Sequence, residues 1–418
     1  SSMFAIVAFG LLVCWSNAVG GLILAQLKAL GWTDNSTTAT FSAITTAGMF
    51  LGALVGGIIG DKTGRRNAFI LYEAIHIASM VVGAFSPNMD FLIACRFVMG
   101  VGLGALLVTL FAGFTEYMPG RNRGTWSSRV SFIGNWSYPL CSLIAMGLTP
   151  LISAEWNWRV QLLIPAILSL IATALAWRYF PESPRWLESR GRYQEAEKVM
   201  RSIEEGVIRQ TGKPLPPVVI ADDGKAPQAV PYSALLTGVL LKRVILGSCV
   251  LIAMNVVQYT LINWLPTIFM TQGINLKDSI VLNTMSMFGA PFGIFIAMLV
   301  MDKIPRKTMG VGLLILIAVL GYIYSLQTSM LLITLIGFFL ITFVYMYVCY
   351  ASAVYVPEIW PTEAKLRGSG LANAVGRISG IAAPYAVAVL LSSYGVTGVF
   401  ILLGAVSIVV AIAIATIG

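Results

Sequence analysis

The feature that most constrains this chain is a series of apolar runs, each about 20 residues or longer, separated by short polar loops. A helix rises about 1.5 Å per residue, so each run is long enough to cross a hydrocarbon core of about 30 Å. Hydrophobic residues make up 57% of the 418 positions and charged residues only 11%, which excludes an ordinary soluble protein. We therefore predict an all-α membrane protein.

Twelve membrane-spanning helices are predicted. They cover approximately residues 3–27, 37–60, 67–86, 90–117, 124–149, 158–180, 242–270, 279–301, 309–326, 329–356, 368–391 and 395–418. The first run is long and weakly flanked, so we expect a span there rather than a cleaved signal peptide. An even number of spans places both ends of the chain on one side of the membrane.

The second half of the chain repeats the first. The charged segment Gly60-Asp61-Lys62-Thr63-Gly64-Arg65-Arg66 returns as Met301-Asp302-Lys303-Ile304-Pro305-Arg306-Lys307, and Asp61 and Asp302 are 241 residues apart. A similar echo places Glu116-x-x-Pro119, followed by Arg123-Gly124, against Glu358-x-x-Pro361, followed by Arg367-Gly368. Such self-similarity at a fixed offset indicates two copies of one structural unit.

Each copy holds six spans, so both copies run in the same direction through the membrane. We predict two parallel six-helix bundles, residues 1–180 and 242–418, related by an axis along the membrane normal and enclosing a site near the midplane. Residues 181–241 are polar and form a linker. Within it, Arg192 to Gln210 places Ala196, Val199 and Ile203 at helical spacing, which predicts an amphipathic helix.

Loop charges predict the orientation. The loops after spans 2, 4, 8 and 10 carry ten cations: Lys62, Arg65, Arg66, Arg121, Arg123, Lys303, Arg306, Lys307, Lys365 and Arg367. The loops on the other side carry only Lys28, Arg159 and Lys277. Because cytoplasmic loops are enriched in Lys and Arg, we expect both termini and the linker in the cytoplasm. The net charge of +9 is explained in the same way, without nucleic acid as a partner.

Several classes of function find no support in the sequence. The five cysteines form no C-x-x-C pair, so neither a metal nor a redox site is expected. No phosphate-binding loop G-x-x-x-x-G-K-[ST] is present, which argues against transport driven by ATP. We find no nucleophile–base constellation and expect neither an enzyme nor a cofactor. A monomer is sufficient for the predicted architecture.

The motifs resemble those of a known family. Gly60 to Arg66 resembles the loop signature of the major facilitator superfamily, and Arg96-x-x-x-Gly100-x-Gly102-x-Gly104 resembles its fourth-span motif. Glu116 to Gly124, Trp158-Arg159 and Pro181-Glu182-Ser183-Pro184-Arg185-Trp186-Leu187 resemble the sugar-porter branch. More closely, the chain is similar to metabolite transporters of the enterobacterial inner membrane, and nicotinate and organic-ion carriers share much of the pattern.

The resemblance implies a secondary transporter of a small polar metabolite, a sugar, a sugar acid or a related organic acid, working by alternating access. It also implies that charges on the cytoplasmic side form a latch, which holds the outward-facing state and breaks in the inward-facing state. The latch candidates are Asp61, Arg65, Arg66, Glu116, Arg123, Glu182, Arg185, Asp302, Arg306, Glu358 and Arg367. A simple excess of cytoplasmic cations would not explain the acids that are repeated beside them. Because an isolated exposed ion pair contributes little energy, the latch would have to be a network of several pairs.

Charged residues inside the spans are costly in lipid and mark functional sites. In the proton-coupled sugar porters an Asp of span 1 pairs with the Arg of span 4, here Arg96. The matching stretch of this chain, Trp15 to Ala18, has no carboxylate. Glu73 and His76, at i and i+3 on one helix face, are the alternative proton carriers, and a structural polar pair is the other interpretation. Arg129 in span 5 is a further charged candidate. Uniport and proton symport both remain open.

The candidates for substrate binding are polar and aromatic residues of spans 1, 5, 7, 10 and 11. They are Trp15, Asn17, Asn135, Trp136, Asn255, Gln258, Tyr259, Trp264, Tyr345, Tyr347, Asn373 and Arg377. Aromatic faces with a few amides suit a polar ligand the size of a ring. The resemblance to organic-anion carriers implies that Arg377 contacts an anionic substrate, and a structural or gating role is equally open. The rival functions are a receptor that binds ligand without flux and a carrier of aromatic acids such as nicotinate.

Overall fold

The computed structural model describes residues 2–117, 123–217, 230–361 and 364–418, and in these ranges every regular element is a helix. Ten helical segments are long and apolar enough to cross a membrane. The last of them is interrupted by Gly395, at φ 70° and ψ −159°, and therefore supplies two spans. A further interrupted segment, which begins at Arg123 and ends at Leu148, brings the number in the described ranges to the twelve expected.

The first half contains spans 1 to 6. They are Ser2–Leu12 with Trp15–Ala29, Asn35–Thr63, Arg65–Ala84, Met89–Tyr117, Arg123–Asn135 with Ser137–Leu148, and Ala154–Tyr179. The second half contains spans 7 to 12. They are Gly238–Thr271, Leu276–Met287 with Gly289–Val300, Arg306–Ser325, Met330–Cys349 with its extension to Glu358, and the two parts of Lys365–Ile417. The fold class predicted from the sequence is confirmed, with boundaries shifted by up to about five residues, as is usual for helix ends.

Spans 5 and 8 are broken in the same way; the sequence predicts the break in span 8 from Pro291, and the break in span 5 was not predicted. Each break is followed by a proline in the first turn of the second piece: Pro139 after the break at Trp136, and Pro291 after the break at Phe288. Proline has no N–H to donate to the carbonyl four residues earlier, so the helical ladder is interrupted just before it. The rings of Trp136 and Phe288 lie 6.1 Å apart, so the two breaks meet at the boundary between the halves.

Spans 1 and 10 are irregular for different reasons. In span 1 the chain tightens at Val13 and Cys14, where backbone N–H groups donate to carbonyls three residues earlier instead of four. In span 10 a wider π-helical turn, Tyr350–Tyr355, precedes Pro357. Helical irregularities of this kind are frequent at functional sites, so both are relevant to the candidate site.

Glycines recur every four residues in span 2, at Gly48, Gly52, Gly56 and Gly60, and in span 8, at Gly289 and Gly293. These glycine ladders, whose spacing predicts the close approach of a neighbouring helix, lie inside each half. A Cβ added to Gly52 would come within 2.0 Å of the Val101 carbonyl oxygen in span 4, and Gly104 faces Met49 of span 2 equally closely. In the second half, a Cβ on Gly293 would lie 2.4 Å from the Thr342 carbonyl oxygen in span 10. The ladders therefore join spans 2 and 4, and spans 8 and 10, at close range. This placement favours static packing over a sliding surface between the halves.

The linker contains the amphipathic helix expected from its sequence, Tyr193–Thr211, of which only Ala196 is buried. A short helix, Pro184–Ser189, precedes it and is capped by the Ser183 hydroxyl, which accepts from the Trp186 backbone N–H. A single turn, Tyr232–Leu235, leads into span 7. We call the side of the membrane layer that carries these helices the linker face, and the other side the opposite face.

Candidate functional site

The two halves are joined closely on the opposite face. A Cβ on Gly21 of span 1 would lie 2.2 Å from the Ile262 carbonyl oxygen of span 7. The Ser142 hydroxyl of span 5 lies 2.6 Å from that of Thr284 in span 8. At the outer end, Asn35 Nδ2 donates to Ser392 Oγ at 3.0 Å, which joins spans 2 and 11. These contacts close the opposite face.

The ion pairs of the linker face, within the described ranges, lie inside one half or inside the linker. In the first half, Arg65 Nη1 lies 2.7 Å from Asp61 Oδ1. In the second half, Arg306 contacts Glu358 at 3.0 Å and Asp302 at 3.1 Å. The Asp61 and Asp302 side chains are 73% and 90% exposed. Among the residues that the structure describes, neither acid contacts the other half.

Glu182 is a helix cap rather than a member of an ion pair. Its Oε1 accepts from the backbone N–H of Arg65 at 2.7 Å and from that of Ser183 at 2.9 Å. Gly64 adopts φ 96° beside it, and a Cβ there would lie 2.3 Å from Glu182 Oε2. Carboxylates at a helix N-terminus satisfy free N–H groups and interact favourably with the helix dipole. The linker is thereby fastened to the charged loop of the first half.

The remaining latch candidates are distributed differently. Arg66 Nη2 donates to the Trp177 carbonyl oxygen at 2.5 Å, and Arg185 is exposed. Arg367 Nη1 donates to the Val230 carbonyl oxygen at 2.9 Å. The side chains of Glu116 and Arg123 lie outside the part of the chain that the structure describes.

An aromatic cluster joins the halves in the interior. The Tyr138 ring of span 5 lies 5.4 Å from the Tyr345 ring of span 10, and Tyr259 and Gln258 of span 7 are their neighbours. The Tyr345 hydroxyl oxygen is buried and makes no hydrogen bond in the described part of the chain. A ligand with a hydroxyl or carboxyl group would satisfy it. The sequence analysis missed Tyr138, although it directly precedes the proline that breaks span 5.

Other predicted binding residues lie around this cluster. Trp15 is 6% exposed and contacts Cys141, and Asn17 is 8% exposed, with no side-chain hydrogen bond to a described residue. Asn255 Nδ2 donates to the Leu251 carbonyl oxygen at 2.8 Å, and its side chain packs against Gly376 and Gly380 of span 11. Spans 1 and 7 thus each bring an amide or an indole to the interior, and span 11 contributes the two glycines beside Asn255.

Some candidates are packing residues in this structure. Trp264 and Tyr347 are each 1% exposed, and the Tyr347 hydroxyl donates to the Val250 carbonyl oxygen at 2.8 Å. Asn135 Nδ2 donates to the Ser131 carbonyl oxygen of its own helix. Trp136 lines an apolar cavity of about 400 Å³ between spans 5, 8 and 10. The other residues that line this cavity are Phe132, Phe288, Pro291, Phe292, Phe295 and Phe338.

Span 11 carries a partly accessible cation, Arg377. Arg377 has no ion pair or hydrogen bond to a described residue, and its Nη1 is buried without a partner. Asn373, one turn earlier, is exposed and donates to the Ser369 carbonyl oxygen at 2.8 Å. A guanidinium in this position offers a planar fork of donors to a carboxylate.

A second polar network lies inside the first half. Glu73 and His76 of span 3 are both fully buried, and His76 Nδ1 lies 3.7 Å from Glu73 Oε2. Arg96 is 2% exposed, and its Nη1 donates to the Ser16 carbonyl oxygen at 2.6 Å. Arg129 is not part of this network, because it is exposed and lies over the Trp126 ring at 4.9 Å.

Comparison with known proteins agrees with this architecture. The family model described as Major Facilitator Superfamily matches residues 4–384. The inner membrane metabolite transport protein YdjE of Escherichia coli is 43% identical, over all of this chain and 92% of that protein. The niacin transporter NiaP of Acinetobacter baylyi is 26% identical, over 89% of this chain and 82% of that protein.

Solved structures show the same fold. The partially occluded inward-open form of the xylose transporter XylE from E. coli matches with a TM-score of 0.77 at 18% identity, over 98% of this chain and 96% of that one. The chain belongs to the Major Facilitator Superfamily and is a transmembrane transporter of small organic metabolites.

Proposed function

We propose that the protein carries a small organic anion, such as a sugar acid or an aromatic acid, across the bacterial inner membrane by alternating access. The observation that supports this proposal is the guanidinium of Arg377, which has no partner among the residues that the structure describes. A charge within a membrane domain is costly unless it meets a partner or water, so its missing partner is the carboxylate of the substrate. The niacin transporter among the relatives is consistent with this class, since niacin carries a carboxylate.

The aromatic cluster would hold the rest of the ligand. Tyr345, Tyr138 and Gln258 present ring faces, hydroxyls and an amide between the halves. Such a surface fits the hydroxyls of a sugar acid or the ring of an aromatic acid. Arg377 would thus select the charge, and the cluster would select the shape.

The working cycle follows from where the halves touch. They are closed on the opposite face, through spans 1 and 7 and through spans 5 and 8. We assign the linker face to the cytoplasm because its loops carry the cations, which makes this the inward-facing state, with both termini cytoplasmic. When the halves rock to close the linker face, the exposed carboxylates of Asp61 and Asp302 would form the latch with the opposite half. A single chain is sufficient for this cycle.

The first experiment is a thermal-stability screen of the purified full-length protein. Gluconate and nicotinate are compared with their neutral counterparts glucose and nicotinamide. A ligand at 100 times its dissociation constant adds about 2.7 kcal/mol to the stability of the native state. We expect the carboxylates to raise the melting temperature and the neutral analogues not to. Counterflow of the labelled acid in proteoliposomes then separates a transporter from a receptor, because a receptor binds without flux.

The variant Arg377→Gln tests the charge selection. Loss of a charge-assisted hydrogen bond costs about 1.5–3 kcal/mol, so binding of the acid should weaken roughly 10- to 100-fold. The matched control is Arg178→Gln, because Arg178 is an exposed arginine that lies over the Tyr179 ring. If Arg377→Gln still prefers the acid over its neutral analogue as strongly as the unmodified protein does, the anion proposal is wrong.

A further inference from the structure

The carboxylate of Glu73 is buried without the partners that an anion needs. Its side chain is fully buried in span 3, and neither oxygen makes a hydrogen bond with a described residue. The basic group that the structure places against it, among the described residues, is the His76 imidazole, at 3.7 Å. Burying an ionised carboxylate in this way is costly unless it is paired or carries a proton. The site is therefore suited to hold a proton on the carboxyl group or on the imidazole beside it.

His76 can keep both of its hydrogen bonds whether its ring is protonated or neutral. Its Nδ1 lies 3.0 Å from the Ser169 hydroxyl in span 6, and its Nε2 lies 3.0 Å from the Ser16 hydroxyl in span 1. A serine hydroxyl both donates and accepts, so it can face a protonated or an unprotonated ring nitrogen. The two hydroxyls can thus turn to match a protonated or a neutral His76, while Glu73 Oε2 lies 3.7 Å from Nδ1, beyond hydrogen-bonding distance.

Ser16 connects this pair to the substrate side of the molecule. It follows directly on the tightened turn of span 1 at Val13 and Cys14, and its carbonyl oxygen accepts from Arg96 Nη1 at 2.6 Å. Its chain neighbours Trp15 and Asn17 are candidates for substrate binding. A change in the charge of His76 therefore acts on a residue in the first turn of the second piece of span 1, whose backbone N–H donates to the Val13 carbonyl oxygen.

The other titratable and charged groups around the pair add no second carboxylate. Cys14 of span 1 is within electrostatic range of Glu73, and Arg96 of span 4 reaches the network only through Ser16 and the hydroxyl of Thr45. Tyr72 donates its hydroxyl to the Gly56 carbonyl oxygen, and span 6 contributes the neutral Ser169. None of these neighbouring side chains is a carboxylic acid.

We propose that Glu73 and His76 form the proton-binding site that couples transport to a proton gradient, with Ser16 as the link to the substrate pocket. The pair takes up one proton while the pocket faces the opposite side and releases it when the pocket faces the linker side. This inference rests on the transport function proposed above. It places the proton carrier in span 3, because span 1 offers Ser16 and Asn17 but no carboxylate.

The first test uses full-length protein in proteoliposomes with labelled gluconate or nicotinate. At one proton per substrate, a pH gradient of one unit supports about a tenfold concentration ratio. We expect Glu73→Gln to lose this accumulation while it still exchanges substrate between the two sides of the membrane. Asp90→Asn is the matched control, because Asp90 is an exposed acid in the first turn of span 4. Accumulation by Glu73→Gln equal to that of Asp90→Asn overturns the proposal.

The second test does not depend on the substrate. Among the carboxylic-acid carbonyl bands in infrared difference spectra recorded between two pH values, the purified protein should show one that Glu73→Gln lacks. If the labelled acids are not transported but this band is present and lost in the variant, the substrate class is wrong and the proton site stands. Should Glu73→Gln not fold, Ser16→Ala is used instead. We expect Ser16→Ala to keep the carbonyl band of Glu73 and to lose the coupling of transport to the proton gradient. Full coupling in Ser16→Ala refutes the link through span 1.

Discussion

Gly21 sets how closely the halves approach on the opposite face, so an added methyl group there should change the balance between the two states of the transporter. A Cβ at this position would lie 2.2 Å from the Ile262 carbonyl oxygen and 3.2 Å from the Asn263 Cα. Both neighbours are backbone atoms, which cannot turn aside as a flexible side chain would. The substitution Gly21→Ala must therefore move span 1 away from span 7, which belongs to the other half.

The size of the effect follows from this geometry. Ordinary contact begins at 3.4 Å, so the two spans must separate by about 1.2 Å. Overpacking of this kind costs about 1–3 kcal/mol. The cost applies only to the state in which the opposite face is closed, because spans 1 and 7 separate there when that face opens. We therefore expect the ratio of opposite-open to opposite-closed molecules to rise about 5- to 150-fold.

The assay is a distance measurement between spin labels at Leu151 and Tyr394 in a cysteine-free background. These side chains are 79% and 74% exposed on the opposite face, one in each half. Gly21→Ala should add a population at longer distance. The matched control is Gly52→Ala, whose Cβ would lie 2.0 Å from the Val101 carbonyl oxygen, a contact within one half. The control should lower the melting temperature without changing the distances. An unchanged distance distribution in folded Gly21→Ala would refute the reasoning.

Two further predictions concern the polar edges of the spans. The Thr37 backbone N–H holds the pKa of the Asp34 carboxyl below its usual range, so the cap of span 2 is strongest well above pH 4 and weakens as the pH falls through the lowered pKa. Asp34→Ala should lower the free energy of unfolding by about 1 kcal/mol at pH 7. Asp34→Asn should keep the cap, and its stability should no longer depend on pH through this group. Melting curves recorded at pH 7 and pH 3 test both expectations. Asp61→Asn should reduce transport in proteoliposomes while the melting temperature changes little, because its exposed pair with Arg65 contributes at most about 1 kcal/mol. Unimpaired uptake by this variant would argue against the latch.

The sequence by itself determined the membrane class, the number of spans and the duplication. These follow from properties that act locally: the length of an apolar run, and the recurrence of Asp61 and Asp302 at a fixed offset. The proximity of Glu73 and His76 was also predictable, since residues three apart on a helix share a face. The breaks in spans 5 and 8 were readable in principle from Pro139 and Pro291.

The tertiary structure decided everything that depends on which helix lies beside which. The turn in span 1 has no proline to announce it, and only the fold brings its Ser16 between His76 and Arg96. The glycine ladders predicted a close approach but did not name the partner span. Tyr138 meets Tyr345 only because the two halves pack together, and Glu182 became a cap because the linker returns to the first half. Contacts between residues far apart in the chain leave no periodic trace in a single sequence, so the site had to come from the packing.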